Sequence, residues 1–270
     1  VGCEDELTRA RVAALYRYPV KSMLGERLTE AEVSERGLAG DRRFALLDEE
    51  TGKVASAKNP RLWRALLTCR ATLTEAGPRI TGPDGTEVHA VSEIVGRPVT
   101  LTDTPPPDAT LDRSRPEEVL RAGVDAQVEA DVVRFGSAAP VGTFFDFAPV
   151  HLITTSTLAR IAEVQRYRPN LVLDTGDTEG FVEHDWVGGE LRIGDRLVLR
   201  VMASTPRCAV PTLAHGDLPR DPEALRVLAR HHRVPALPGR APEPCAGVYA
   251  QVLRGGWVRE GDVYTVSSAR

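Results

Sequence analysis

Cysteine is scarce and scattered in this sequence, with four thiols, Cys3, Cys69, Cys208 and Cys245, in 270 residues. They are too few and too dispersed for a disulfide scaffold at this length. No Cys-x-x-Cys pair, His-Glu-x-x-His helix or calcium-binding loop is present. His231 and His232 are the only adjacent histidines, and neighbours on a helix face different directions, so a structural zinc site is not expected. Long apolar runs are also missing. None approaches the ~18 residues that a membrane helix requires, and residues 1–11 are polar with charges of both signs. The expectation is a cytoplasmic protein without a membrane span. Nor is there a surplus of positive charge: a net charge of −4 and a pI of about 5.9 give no basis for a nucleic-acid partner.

What is present is the composition of an ordinary soluble protein, 42% hydrophobic and 27% charged. The length exceeds one average domain, at about 150 residues per unit, and argues for two. Residues 12–18, 43–48 and 66–73 read as short strands, and Glu49-Glu50-Thr51-Gly52 and Gly82-Pro83-Asp84-Gly85 as hairpin turns, a pattern of barrels or sandwiches. Pro105-Pro106-Pro107 opens a connection near 104–116, followed by a short helix over 116–123. Residues 124–148 carry no readable pattern. Beyond them, Thr154-Thr155-Ser156-Thr157 predicts an N-capped helix over 158–164, residues 171–173 a strand, and 186–201 two strands. Residues 221–230 read as a helix with Pro222 in its first turn, and 246–253 with 262–266 as a closing strand pair. The expected class is α+β and mostly β: a β-barrel-like unit over 7–123, then a second β-barrel unit with a few helices over 124–268.

Cys208 follows the strand-like run 192–201 where the chain turns, between Pro206 and Pro211 and beside Arg207. The prolines restrict the backbone, and a permanent cation favours the thiolate, the form that binds metals or attacks electrophiles. Local chemistry alone equally allows a buried structural thiol, since free cysteine packs as a small hydrophobe.

Several segments in order carry a resemblance: Tyr18-Pro19-Val20-Lys21-Ser22, Arg36-Gly37-Leu38-Ala39-Gly40-Asp41-Arg42-Arg43, Tyr167-Arg168-Pro169-Asn170-Leu171, Asp185-Trp186-Val187-Gly188 with Ile193-Gly194-Asp195, and Pro206-Arg207-Cys208. The chain resembles the MOSC proteins that carry an N-terminal β-barrel domain, the group of the mitochondrial amidoxime-reducing component and its bacterial relatives. The resemblance implies a molybdenum-pterin cofactor between the two units, with Cys208 as the one protein ligand to the metal, and a soft thiolate suits that metal. It implies cofactor contacts at Lys21, Ser22, Arg168, Asn170 and Ser204, with Arg207 beside the thiolate. A point charge and a hydroxyl donor are what an anion needs, although Lys21 alone is equally a surface lysine and Asn170 a turn residue. Thr154 and Thr155 are candidate anion donors at a helix start, or an ordinary cap. Where many relatives have an arginine this chain has Ala57, so that contact is lost or passes to Lys58.

Asp41 with Arg42 reads equally as a structural pair, and Cys245 as a packed strand residue. The activity implied is reduction of N-hydroxylated small molecules, with electrons from a separate donor protein or small donor, because no ferredoxin cysteine set or flavin fingerprint is present. Two alternatives use the same site: sulfur transfer through a persulfide on Cys208, and non-enzymatic carriage of the cofactor.

Overall fold

The computed structural model describes residues 10–161 and 163–267; Cys3 lies outside them. The fold is mostly β with short helices, as expected. Barrel closure is not observed. The largest sheet has nine strands on an open path: Tyr264–Ser267, Glu190–Ile193, Leu197–Pro206, Pro242–Arg254, Val150–Thr154, Leu171–Asp174, Arg11–Arg17 and Glu26–Leu28, with Arg233–Pro235 branching from Pro242–Arg254. Arg11–Arg17, from the first half of the sequence, pairs antiparallel with Leu171–Asp174 of the second. Val150–Thr154 and Leu171–Asp174 run parallel, which requires a crossover, here built from two one-turn helices, Thr155–Leu158 and Val164–Tyr167.

This crossover corrects the expected helix over 158–164. Thr154 does cap, its hydroxyl accepting from the Thr157 N–H at 3.2 Å, but the helix stops after one turn because the chain must return to the sheet. The expected closing pair is also replaced. Gly256–Arg259 pairs with Glu30–Ser34, and Tyr264–Ser267 with Glu190–Ile193. A side chain at Gly255 would place Cβ 2.7 Å from the Val33 carbonyl, so the close approach of these two chain segments demands glycine.

Five apolar clusters result among the described residues, two of them large. One lies against the large sheet and mixes Val12, Leu15 and Val33 with Leu152, Leu199 and Val248. The other, around Val20, Met23, Leu46 and Trp63, is drawn from the first 100 residues. Residues 110–134, unread in part from sequence, form a hairpin of Thr110–Ser114 and Ala130–Arg134 enclosing the helix Pro116–Ala122. Among the described residues no helix is long and apolar enough to cross a membrane.

Candidate active site

Cys208 owes its position to two strands. Leu197–Pro206 pairs with Pro242–Arg254 through register shifts between Val201 and Ala203 and between Ser204 and Pro206, and such bulges bend a strand and re-aim its side chains. The Arg207 N–H still bonds the Pro244 carbonyl at 2.9 Å, after which the chain leaves the sheet into the turn Val210–Thr212. Arg166, buried to 1% exposure, fastens the next segment by donating to the carbonyls of Leu213 (3.0 Å) and Pro219 (2.9 Å). The thiol of Cys208 is left half-buried and free, on the wall of a cavity of about 480 Å³. That volume suits a small molecule or cofactor.

Cations dominate this cavity. Lys21 is 5% exposed; its ammonium donates to Asp146 Oδ1 at 2.6 Å and to the Phe144 carbonyl at 2.8 Å. Lys58 reaches the same carboxylate oxygen at 2.9 Å. Burial pulls Lys21 down to about 8, although Asp146 opposes the shift. Burial would raise Asp146, but Lys21 and Lys58 outweigh it and hold the carboxyl well below the usual range. Arg42 and Arg168 each stand 4.4 Å from the centre of the Tyr18 ring. Arg168 donates to the Met23 carbonyl at 2.6 Å, and burial, then the charge of Arg42, lowers it to about 10. Arg42 also bonds Asp41 at 2.6 Å, so the structural reading of that pair holds while its guanidinium lines the cavity as well.

Backbone strain gathers at the same place. Among the described residues four non-glycines have positive φ, and three of them, Ser22 (65°), Arg42 (44°) and Arg168 (56°), line the cavity. Each such residue costs on the order of 1–3 kcal/mol and persists where the surroundings over-determine it, typically at ligand sites. Ser22 Oγ accepts the Ala57 N–H at 3.0 Å, which leaves its own hydrogen for another partner.

Of the residues singled out from sequence, Lys21, Ser22, Lys58, Arg168, Asn170, Ser204, Arg207 and Cys208 all line the cavity. Three details differ from expectation. Thr154 and Thr155 do not line it: Thr154 donates to Glu183 Oε2 at 2.7 Å, and Thr155 to Asp174 at 3.2 Å. Glu183, fully buried, accepts from Thr154, Thr157 and the Gly247 N–H, so the hydroxyl run braces the sheet. Asn170 spends its amide on backbone, accepting from the His151 N–H at 3.0 Å and donating to the Tyr16 carbonyl at 3.3 Å. Arg207 donates to the Tyr167 carbonyl at 2.8 Å and lies over the Tyr167 ring, which anchors its guanidinium there; its Nε is buried without a partner. The Ser204 hydroxyl is held at 2.8 Å by His184 Nδ1. Burial, with a smaller push from His232, takes His184 down to about 3, so the ring is neutral.

The sequence reading passed over Asp146, His151, Tyr249 and four phenylalanines, Phe135, Phe144, Phe145 and Phe147, all on the cavity wall. A signal was available: four of the chain's six phenylalanines fall between 135 and 147. His151 stands out as the one ionisable side chain in the strand Val150–Thr154. It is held neutral by burial and by Arg207, and its ring lies 5.6 Å from that of Tyr249. Cys245, by contrast, is fully buried, and burial pushes its thiol up to about 12, in agreement with a packing role.

A family described as the MOSC N-terminal beta barrel domain matches residues 9–98, and one described as the MOSC domain matches residues 143–265. The chain is similar to mitochondrial amidoxime-reducing component 1 of Homo sapiens, at 27% identity over 235 residues, and to the protein of the same name of Mus musculus, at 29% over 229. Both alignments cover 75% of this chain, and they cover 66% and 65% of those relatives, so the chain spans just under two thirds of their length. Among solved structures it is similar to the YUAD protein from Bacillus subtilis, at 11% identity and a TM-score of 0.46 with 97% of each chain covered.

Proposed function

The chain is a MOSC protein with an N-terminal MOSC β-barrel domain, and from that premise we propose that it is a molybdenum-pterin oxidoreductase that reduces N-hydroxylated small molecules. The observation that carries this reading is the meeting, in one cavity, of the half-buried Cys208 thiol with Lys21, Arg42, Lys58 and Arg168. Four cations against two acids, Asp146 shared by the lysines and Asp41 on Arg42, make a seat for an anion, as the phosphate of a pterin cofactor requires. Among the described residues no three His, Cys, Asp or Glu side chains cluster as a metal cage, so a metal at Cys208 would take its remaining ligands from the cofactor. The residues present fit such a group: on the cavity wall Arg207 Nε is buried without a partner, and the Ser22 hydroxyl has a hydrogen to give.

In this reading Cys208 supplies one thiolate, Lys21 and Arg168 bind the phosphate end, and Lys58 takes the place of the arginine replaced by Ala57. Ser204, fixed by His184, offers a hydroxyl, while Asn170 and Glu183 hold the strands that carry the site. When bound, the cofactor supplies a two-electron centre: the N–O bond of the substrate is replaced by N–H and the oxygen leaves as water, with two protons and two electrons supplied from outside the chain. A separate reductase or small donor provides those electrons.

The test is turnover of an amidoxime by cofactor-loaded protein with an artificial two-electron donor. Formation of the amidine supports the proposal. Protein with stoichiometric metal and pterin that reduces no N-hydroxylated compound would sink it, and a persulfide trapped on Cys208 in metal-free protein would point to sulfur transfer instead.

A further inference from the structure

The cations around the cavity fall into two sets. Lys21, Arg42, Lys58, Arg168 and Arg207 each donate to a carboxylate or a backbone carbonyl and are fixed in place. Arg113, Arg134 and Arg240 also line the cavity but are not fixed in this way. Arg113 is half-buried and Arg240 exposed, and among the described residues neither side chain has a hydrogen-bond or ion-pair partner. Arg134 meets Asp108 at 2.9 Å, both about three-quarters exposed, and such a pair contributes little. The acids lining the cavity are Asp146, already shared by two lysines, and Glu243. In a chain of net charge −4 this local excess needs a cause.

The cofactor seat does not supply it. Arg113 and Arg134 belong to the hairpin Thr110–Ser114 and Ala130–Arg134, which falls between the two family-matched segments, 9–98 and 143–265. These two arginines are therefore particular to the connecting region, where specificity can vary without disturbing the cofactor residues, while Arg240 stands within the second matched segment. Its chemistry is planar and cationic: a guanidinium pairs with a carboxylate through two parallel hydrogen bonds, which an ammonium does not. The same cavity wall carries Phe135, whose ring centre lies 5.2 Å from the Lys21 ammonium, and Phe147, 5.4 Å from the Tyr249 ring, surfaces for a flat apolar body.

We infer that the mouth of the cavity is a substrate subsite for a carboxylate, held by Arg113 and Arg240, with Arg134 adding attraction at longer range. The molecule reduced beside Cys208 is then an N-hydroxylated compound with an aromatic or other flat body and an anionic tail. The reaction named here rests on the proposed function; the subsite itself rests on the arginines.

The two are separable by calorimetry on cofactor-loaded protein at low ionic strength, with benzamidine and 4-carboxybenzamidine as product-like probes. The carboxylated probe is expected to bind at least about tenfold more tightly, an advantage that shrinks as salt screens the rim. Arg113→Gln with Arg240→Gln should bring the ratio of affinities close to one, and the Arg113→Lys variant should leave it intermediate. Neither side chain has a partner to lose, so both variants are expected to fold, as a circular dichroism melt checks. Equal affinities in the wild type, or an advantage that survives the double variant, overturns the subsite. A clear carboxylate preference without any turnover leaves the subsite standing and removes the reaction. Turnover of neutral amidoximes equal to that of carboxylated ones does the reverse.

Discussion

The two sides of the cavity are built on different principles. On the inner side every cation is tied to an acceptor: Lys21 to Phe144 and Asp146, Arg42 to Asp41, Arg168 to Met23, Arg207 to Tyr167. Three residues there accept strained backbone angles as well. On the outer side, among the described residues Arg113 and Arg240 have no hydrogen-bond or ion-pair partner, and the strand Ala130–Arg134, paired with the one that carries Arg113, is exposed at three of its five positions. Fixed groups give strong, geometry-bound recognition at little reorganisation cost, whereas free ones give adjustable, salt-sensitive recognition. The inner side is suited to one resident ligand and the outer side to exchanging small molecules.

The sharpest way to break this comparison is to remove one cation from each side. Lys21→Ala and Arg168→Ala are expected to lower bound pterin and metal in purified protein by at least about tenfold, consistent with loss of a charge-assisted bond on the order of 1.5–3 kcal/mol; Arg113→Ala is expected to leave both contents at the wild-type level. Pterin fluorescence and metal analysis decide it, and equal losses on the two sides would erase the distinction.

Thiol chemistry gives the next largest contrast. In metal-free protein, Cys208 should be alkylated at least about tenfold faster than Cys69 or Cys245, because burial raises both of the latter and hides them. Peptide mass spectrometry after timed iodoacetamide treatment reads this directly, and comparable labelling of Cys245 would contradict the packing described.

Stability distinguishes the sides more modestly. Asp146→Ala strands the buried Lys21 ammonium and should cost about 1–3 kcal/mol, while Asp108→Ala, on the exposed Arg134 pair, should cost under about 0.5 kcal/mol. Urea unfolding of the two variants provides the comparison.

The smallest effect is in pH. Lys21 is lowered to about 8, so its charge is present below that pH and is lost as pH rises through it. Inorganic pyrophosphate binding to cofactor-free protein should therefore weaken a few-fold between about pH 7 and pH 9. Lys21→Arg should flatten that step, since a guanidinium keeps its charge across the range. An unchanged profile in Lys21→Arg would assign the titration to another group.

Part of the inner side was legible in the sequence; its Asp146, His151 and Tyr249, and the outer side, were not. Lys21, Ser22, Arg168 and Cys208 sit in short motifs at strand ends, where local sequence fixes both the turn and the group presented. Ala130–Arg134 is exposed on most positions and so lacks the apolar alternation by which strands are read. The segment after it is shaped by bonds such as Gly136 N–H to the Asp146 carbonyl and Ala138 N–H to the Phe147 carbonyl, with no local composition to announce them. The same reason explains why the hydroxyl run was read only in part. Thr154 caps as its neighbours suggest, but its hydroxyl and that of Thr157 are also committed to Glu183, 29 and 26 residues away. Likewise the strand Gly256–Arg259 falls between the two expected arms, 246–253 and 262–266, and nothing nearby reveals that its partner is Glu30–Ser34.

The most direct test of the central claim is metal and pterin analysis of this chain purified from a host that makes the molybdenum cofactor, wild type beside Cys208→Ser. Near-stoichiometric molybdenum and pterin in the wild type, with loss of the thiolate-to-metal absorption or of the metal itself in the variant, is the predicted result. Wild-type protein that carries neither metal nor pterin under those conditions, or a variant whose metal content and spectrum match the wild type, would contradict the assignment of Cys208 as the metal's protein ligand.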